Sequence, residues 1–136
     1  WQKNGDLRGC VGQLQSLEAL YKMVQSCAIA AATRDIRFSS VTAAELSELT
    51  IEISILSTPE KINSPKEIKI GRHGLIIEQD NPYPRKGLLL PEVAVRHNWN
   101  RSQFLDAICQ KANLSPDAWR TADLYIFEAE VFAEET

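Results

Sequence analysis

The residues best suited to chemistry stand in one short segment, Leu7–Gly12, which reads Leu-Arg-Gly-Cys-Val-Gly. Gly9 and Gly12 bracket Cys10 at a spacing that allows a tight turn or a close approach of the backbone to a ligand. On a strand, Arg8 and Cys10 would share one face, and a nearby guanidinium favours the thiolate, the nucleophilic form of cysteine. A buried, small hydrophobic Cys10 beside glycines that permit a β-bulge explains the same pattern. The residues alone leave both interpretations open.

A second candidate site is the charged segment that follows the first predicted helix. Arg34 and Arg37 carry forked donors suited to a carboxylate or a phosphate, and Asp35 is placed to orient one of them. Arg34 could equally satisfy the last carbonyls of that helix. The segment is therefore either an anion-binding loop or a solvated helix end.

Histidine is scarce, because the chain has only two. His73 lies in a Gly-Arg-His-Gly connection, where it could reach a cleft as an acid, a base or a ligand. His97 falls late in a predicted helix, and contact with the helix C-terminus explains it. Catalysis by Cys10 and His73 together would require the two side chains to lie within hydrogen-bond reach.

The composition argues against several classes of function. The chain has 136 residues and a net charge of -3, and its basic residues are scattered, so we expect no nucleic-acid partner. No apolar run approaches the ~20 residues of a membrane-spanning helix, so we expect no membrane partner. Cys27 and Cys109 fall on or beside apolar helix stripes, and without a Cys-x-x-Cys pair we expect no metal site. Three thiols suit a reducing, cytoplasmic setting.

The N-terminal segment is expected to follow a β-hairpin. Asn4-Gly5 is the pattern of a type I′ turn, which would lead into a strand over residues 6–11. Because only three residues precede the turn, we expect the first strand to begin before residue 1. The strand over 6–11 should then show an unpaired edge or pair with a different strand.

Apolar periodicity and capping patterns predict the remaining elements. A helix is expected over 17–33 with Ser16 as its N-cap, and another from Asn100 to a left-handed C-cap at Asn113. Shorter helices are expected after Thr42 and after Pro91. Strands are expected over 49–55, 75–79, 87–90 and 125–132. This irregular alternation favours an α+β domain with a mostly antiparallel sheet and flanking helices, undivided by a linker.

With these segments in place, the chain resembles the AMMECR domain family, whose bacterial members are called AmmeMemoRadiSam system protein A. The resemblance covers almost the whole chain in order and rests on residues 7–12, 34–38, 70–75, 87–94, 104–105 and 111–114. The family pattern has isoleucine where this chain has Val11, proline where it has Ile36, and more often glycine where it has Asn113.

The resemblance implies an α+β domain of two unequal subdomains, with the Arg-Gly-Cys strand at the cleft between them. It also implies that the N-terminal part of the family domain is missing, so residues 1–136 are expected to be a single, N-terminally incomplete AMMECR-like domain. The family name records association with a Memo-like protein and a radical S-adenosylmethionine protein. Radical chemistry would belong to that partner, because this chain lacks the three-cysteine cluster motif.

Two classes of function follow. The first is a binding or accessory module for those partners, with a small anionic ligand and these binding residues: Arg8, Gly9, Gly12, Arg34, Asp35 and Arg37. The second is an enzyme with Cys10 and His73 as catalytic residues, and with Arg8, Asp35 and Arg37 beside them in a cleft. The sequence favours the first slightly, since it supplies a nucleophile but no assured base, metal set or cofactor cradle. It specifies neither a cofactor nor a reaction.

Overall fold

A computed structural model describes residues 1–12 and 19–134 of the chain. The strands are β1 (Gln2–Lys3), β2 (Asp6–Leu7), β3 (Leu49–Thr50), β4 (Glu52–Leu56), β5 (Glu60–Ile62), β6 (Gly74–Gln79), β7 (Arg85–Leu89), β8 (Asp123–Phe127) and β9 (Ala129–Ala133). The α-helices are α1 (Leu20–Thr33), α2 (Pro91–Arg96) and α3 (Arg101–Lys111). Helices and antiparallel strands together confirm the predicted α+β class.

The chain divides into two unequal compact units. The first consists of residues 1–54 with the chain from Val131 onward, and the second is Ile55–Glu130. The first contains β1 to β3 and α1, and the second contains β5 to β8, α2 and α3. Strand β4 pairs with β9 in a separate two-stranded sheet.

The predicted hairpin in the first unit is confirmed. Strands β1 and β2 pair antiparallel around Asn4 and Gly5, whose positive φ values of 53° and 83° are those of a type I′ turn. Strand β1 also pairs with β3, which gives the order β2-β1-β3. Strand β2 thus lies at an edge of this sheet, as expected, but it ends at Leu7. The prediction of a strand continuing to Val11 is wrong.

Helix α1 follows in the same unit. It covers the predicted range from Leu20, whereas the proposed N-cap Ser16 lies outside the described residues. Only Ala31 of this helix is fully buried. The predicted helical turn after Thr42 is a 3₁₀ helix, Ala43–Glu48, in which the Glu45 carboxylate accepts the Thr42 backbone N–H at 2.9 Å.

Two strands that the sequence predicts as continuous are interrupted. The prediction over 49–55 corresponds to β3 and β4, separated at Ile51, whose N–H and carbonyl both bond to Glu134. The prediction over 125–132 corresponds to β8 and β9, separated at Glu128. In both cases the two halves pair with different strands, which a period-two pattern cannot reveal.

The second unit contains the main hydrophobic core. Its sheet has the order β5-β8-β6-β7 with antiparallel pairing throughout. The strands predicted over 75–79 and 87–90 correspond to β6 and β7, which pair with each other as a hairpin. Helix α3, which the sequence predicts after Asn100, buries a stripe of four residues: Phe104, Leu105, Ile108 and Cys109. The Asn100 side chain caps this helix by accepting the Gln103 N–H at 2.9 Å, and Asn113 has the left-handed φ of 58° predicted for it.

Among the described residues, no helix combines the length and the apolar character needed to cross a membrane.

Candidate functional site

The segment Leu7–Gly12 leaves the hairpin after Leu7 and is held by the first residue of the structure. The Arg8 N–H donates to the Trp1 carbonyl at 2.9 Å, and the Trp1 nitrogen donates to the Gly9 carbonyl at 2.8 Å. The Trp1 indole N–H donates to the Ala28 carbonyl of α1 at 2.8 Å. Trp1 therefore links the segment to α1.

Gly9 is buried where the segment meets the helix. A methyl group on its α-carbon would overlap the backbone carbonyl of Ala31 in α1. This position requires glycine because the two backbones approach too closely for a side chain. Gly12 differs, since a methyl group there would meet no atom of the described part of the chain within 4 Å. Packing thus explains the first glycine of the motif and not the second.

Arg8 binds a carboxylate of the 3₁₀ helix. Its Nε and one Nη lie 3.1 and 3.3 Å from the two Glu45 carboxylate oxygens, and the other Nη donates to the Ser39 carbonyl at 2.8 Å. Lys3 donates to the same carboxylate at 3.2 Å. These contacts, with the Arg8 hydrogen bonds foremost, lower the pKa of Glu45 to about 2. The same-face argument for Arg8 and Cys10 does not apply, since the strand ends before them.

Asp35 joins two segments that are distant in sequence. Its Oδ2 accepts the Cys10 backbone N–H at 3.0 Å, and its Oδ1 accepts the Arg37 backbone N–H at 3.1 Å. The Arg37 guanidinium closes a bidentate pair, with Nε 3.0 Å from Oδ1 and an Nη 2.8 Å from Oδ2. The guanidinium bonds above all, and then the Cys10 N–H, hold the pKa of Asp35 well below its usual range. Asp35 therefore orients Arg37.

Cys10 is exposed at the end of this cluster. The Asp35 carboxylate raises the pKa of Arg37 above its ordinary value, and the negative charge of a Cys10 thiolate adds to the effect. The Arg37 guanidinium and the Cys10 backbone N–H both donate to the same atom, Asp35 Oδ2. The arrangement presents an accessible thiol beside a guanidinium that a carboxylate holds in place.

Arg34 ends α1 through its backbone, whereas the expected bond from its side chain to the last helix carbonyls is absent within residues 1–12 and 19–134. Its backbone N–H donates to the Ala30 carbonyl at 2.7 Å, and its residue is exposed. The side chain forms no ion pair with an acidic residue in the part of the chain that the structure describes. Arg34 therefore carries an accessible positive charge next to Asp35.

His73 belongs to the second unit and is 8% exposed. Its Nδ1 accepts the Lys69 backbone N–H at 3.0 Å, and its own backbone N–H donates to the Lys69 carbonyl at 3.0 Å. The ring is thus anchored in a turn, and its catalytic pairing with Cys10 stays a prediction. His97 contacts the end of α2 as predicted, with Nδ1 3.0 Å from the Val93 carbonyl.

Glu45 is the member of the site that sequence reasoning missed. Its carboxylate accepts the Thr42 backbone N–H, as the spacing of a capping box allows, and the same carboxylate also binds Arg8, which lies 37 positions away. No local pattern could have indicated this pairing. Residues 1–12 and 19–134 contain no group of three or more His, Cys, Asp or Glu side chains placed to hold a metal ion.

The fold and the site define an α+β protein in which a Gly-Cys segment packs on a helix between two arginine–carboxylate pairs. The family model AMMECR1 matches residues 1–132, and the chain belongs to this family.

Archaeal relatives agree with this assignment. The chain is 44% identical to a protein of Methanosarcina mazei, over 97% of this chain and 68% of the relative, and 44% identical to protein MJ0810 of Methanocaldococcus jannaschii, over 95% and 67%. It is similar to the crystal structure of the uncharacterized protein PH0010 from Pyrococcus horikoshii, with a TM-score of 0.86 and 39% identity over 94% of this chain and 65% of that one. The chain thus spans about two thirds of the length of these proteins.

Proposed function

We propose that this chain is a binding or accessory module that acts with a Memo-like protein and a radical S-adenosylmethionine protein in the cytoplasm. The observation that carries this proposal is that charged residues of the segments 7–12 and 34–38 bind other groups of the chain. Arg8 is bound to Glu45, and Asp35 is bound to Arg37 and to the Cys10 N–H. These groups hold an exposed segment in one conformation, as a recognition surface requires.

The exposed cations of the same loop suit an anionic ligand or an anionic patch on a partner. Arg37 uses Nε and one Nη for Asp35, and its side chain is still 55% exposed. Arg34 adds a second accessible guanidinium. Forked donors of this kind recognise carboxylates and phosphates.

The test is a direct binding measurement with purified proteins. Isothermal titration calorimetry of this chain against the Memo-like protein and the radical protein of the same organism should detect binding to at least one. Asp35→Ala should weaken that binding because it releases Cys10 and Arg37, whereas Asp117→Ala, at an exposed position of the second unit, should not. Absence of binding to both proteins, or turnover by the isolated chain, would contradict the proposal.

An enzyme that uses Cys10 as a nucleophile is the second candidate function. The observation in its favour is that the exposed Cys10 and the Arg37 guanidinium share one carboxylate, because Asp35 Oδ2 accepts both the Cys10 backbone N–H and an Arg37 Nη. Reactive cysteines occur in such electropositive, accessible surroundings. Iodoacetamide at neutral pH should then alkylate Cys10 rapidly, Arg37→Ala should slow the reaction, and Cys10→Ser should abolish labelling at this position. Resistance of Cys10 to alkylation in the wild-type chain would exclude the nucleophile.

A further inference from the structure

The loop that follows α1 carries an apolar side chain, Ile36, that no residue among 1–12 and 19–134 covers. Ile36 is 99% exposed, the highest value among the exposed large hydrophobic residues of the described chain. Its neighbours in sequence, Asp35 and Arg37, are both charged. Because the Ile36 side chain is exposed, it does not pack into the core of the described residues. Burial of such a side chain is favourable wherever an apolar surface is offered to it.

The loop that carries Ile36 is held in one conformation. Asp35 accepts both the backbone N–H and the guanidinium of Arg37, and the Phe38 N–H donates to the Asp35 carbonyl at 3.1 Å. On the other side, the Arg34 N–H caps α1. A side chain displayed on a preorganised loop loses little conformational entropy when it binds.

The charges around Ile36 determine which kind of surface would be complementary to this loop. Arg34 and Arg37 flank it with exposed guanidinium groups, while the Asp35 carboxylate is only 6% exposed. The whole chain has a net charge of -3, so this loop is locally opposite in sign to the rest of the molecule. A surface of this kind is complementary to an apolar pocket edged by carboxylates.

Other occupants fit these observations less well. A second copy of the chain in a twofold contact would bring the same arginines toward each other. A small molecule needs a concave site, whereas Ile36 protrudes. A nucleic acid would meet a chain that is acidic as a whole.

From this geometry we infer that Ile36 is the anchor with which the chain docks onto a partner protein, inserted into an apolar pocket edged by carboxylates. The inference rests on the proposed function, because it names the contact through which the module binds. Anchors of this kind contribute a large share of the affinity at an interface.

Ile36→Asp is the direct test, with Val95→Asp as the matched control. Val95 is 58% exposed, lies in the second unit and is also a β-branched residue. In calorimetric titrations against the Memo-like and radical proteins, Ile36→Asp should raise the Kd by ~10-fold to ~100-fold, and Val95→Asp should leave it within about twofold. Ile36→Ser, which adds no charge, should also weaken binding. Urea unfolding should show unchanged midpoints for both Ile36 variants.

The charge of the loop is tested separately. Arg34→Glu should lower the association rate, most strongly at low salt, whereas Lys66→Glu in the second unit should not. If Ile36→Asp binds the partner protein as tightly as the wild-type chain does, Ile36 is not the docking anchor, whereas the proposed function stands. An equal increase in Kd for Ile36→Asp and Val95→Asp would also contradict the anchor role of Ile36. If the wild-type chain binds neither protein, both proposals fail.

Discussion

The Cys10 backbone N–H donates a 3.0 Å hydrogen bond to the carboxylate of Asp35, 25 positions later in the chain. The same carboxylate holds Arg37 by its backbone and by its guanidinium. One side chain thus fixes both the cysteine segment and the exposed loop after α1.

Replacement of Gly9 by alanine should destabilise the protein. The added methyl group would overlap the Ala31 carbonyl, so the segment or α1 must shift, at a cost of about 1–3 kcal/mol in the free energy of unfolding. Gly12→Ala is the matched control and should change that free energy by less than ~0.5 kcal/mol. Urea denaturation of both variants measures the difference. Equal stability of the two would contradict the close packing of Gly9.

Replacement of Asp35 by alanine should release the Cys10 segment. The backbone N–H groups of Cys10 and Arg37 lose their acceptor, so their amide hydrogen exchange should accelerate. Asp117→Ala should leave both rates unchanged, because the acceptor of both N–H groups is Asp35. NMR-detected exchange at the two amides provides the measurement. Unaltered protection of Cys10 in Asp35→Ala would show that another group holds the segment.

The cysteines should differ in their reaction with iodoacetamide. Cys109 is fully buried on α3, and burial raises the pKa of its thiol. It should react only after unfolding, whereas Cys10 is exposed and should react in the native protein. Mass spectrometry after labelling with and without urea separates the two. Native labelling of Cys109 at the rate of Cys10 would contradict the packing of this core.

Acid should weaken the contact between Arg8 and Glu45. The pKa of Glu45 is about 2 in the folded protein and 4.5 without the contacts, so its contribution to stability is complete above pH 4.5. That contribution is lost as the pH falls from 4.5 towards 2. The Tm should therefore fall less between about pH 6 and about pH 3 in Glu45→Gln than in the wild-type chain. A Tm decrease of the same size in both proteins would show that this pair does not couple stability to pH.

The elements with local causes were predictable from the sequence. The Asn4-Gly5 turn needs two residues with positive φ, and the Asn100 cap needs an acceptor for an N–H three residues later. The buried stripe of α3 follows from helical periodicity. Each of these features depends on residues within a few positions of one another, so the sequence contains the whole reason for it.

Contacts between distant segments were decided only by the tertiary structure. Strand β5 escaped prediction because its three residues have too little periodicity, and the interruption at Ile51 exists because Glu134 binds there. The sequence by itself singled out Arg8, Cys10, Asp35 and Arg37 as chemically capable residues. Which arginine shares Asp35 with the Cys10 segment and which arginine binds Glu45 depends on how the hairpin and the end of α1 meet. The bonded groups lie 25 positions apart in the pair of Cys10 and Asp35 and 37 positions apart in the pair of Arg8 and Glu45. A local sequence pattern spans only a few residues and cannot specify contacts over such distances.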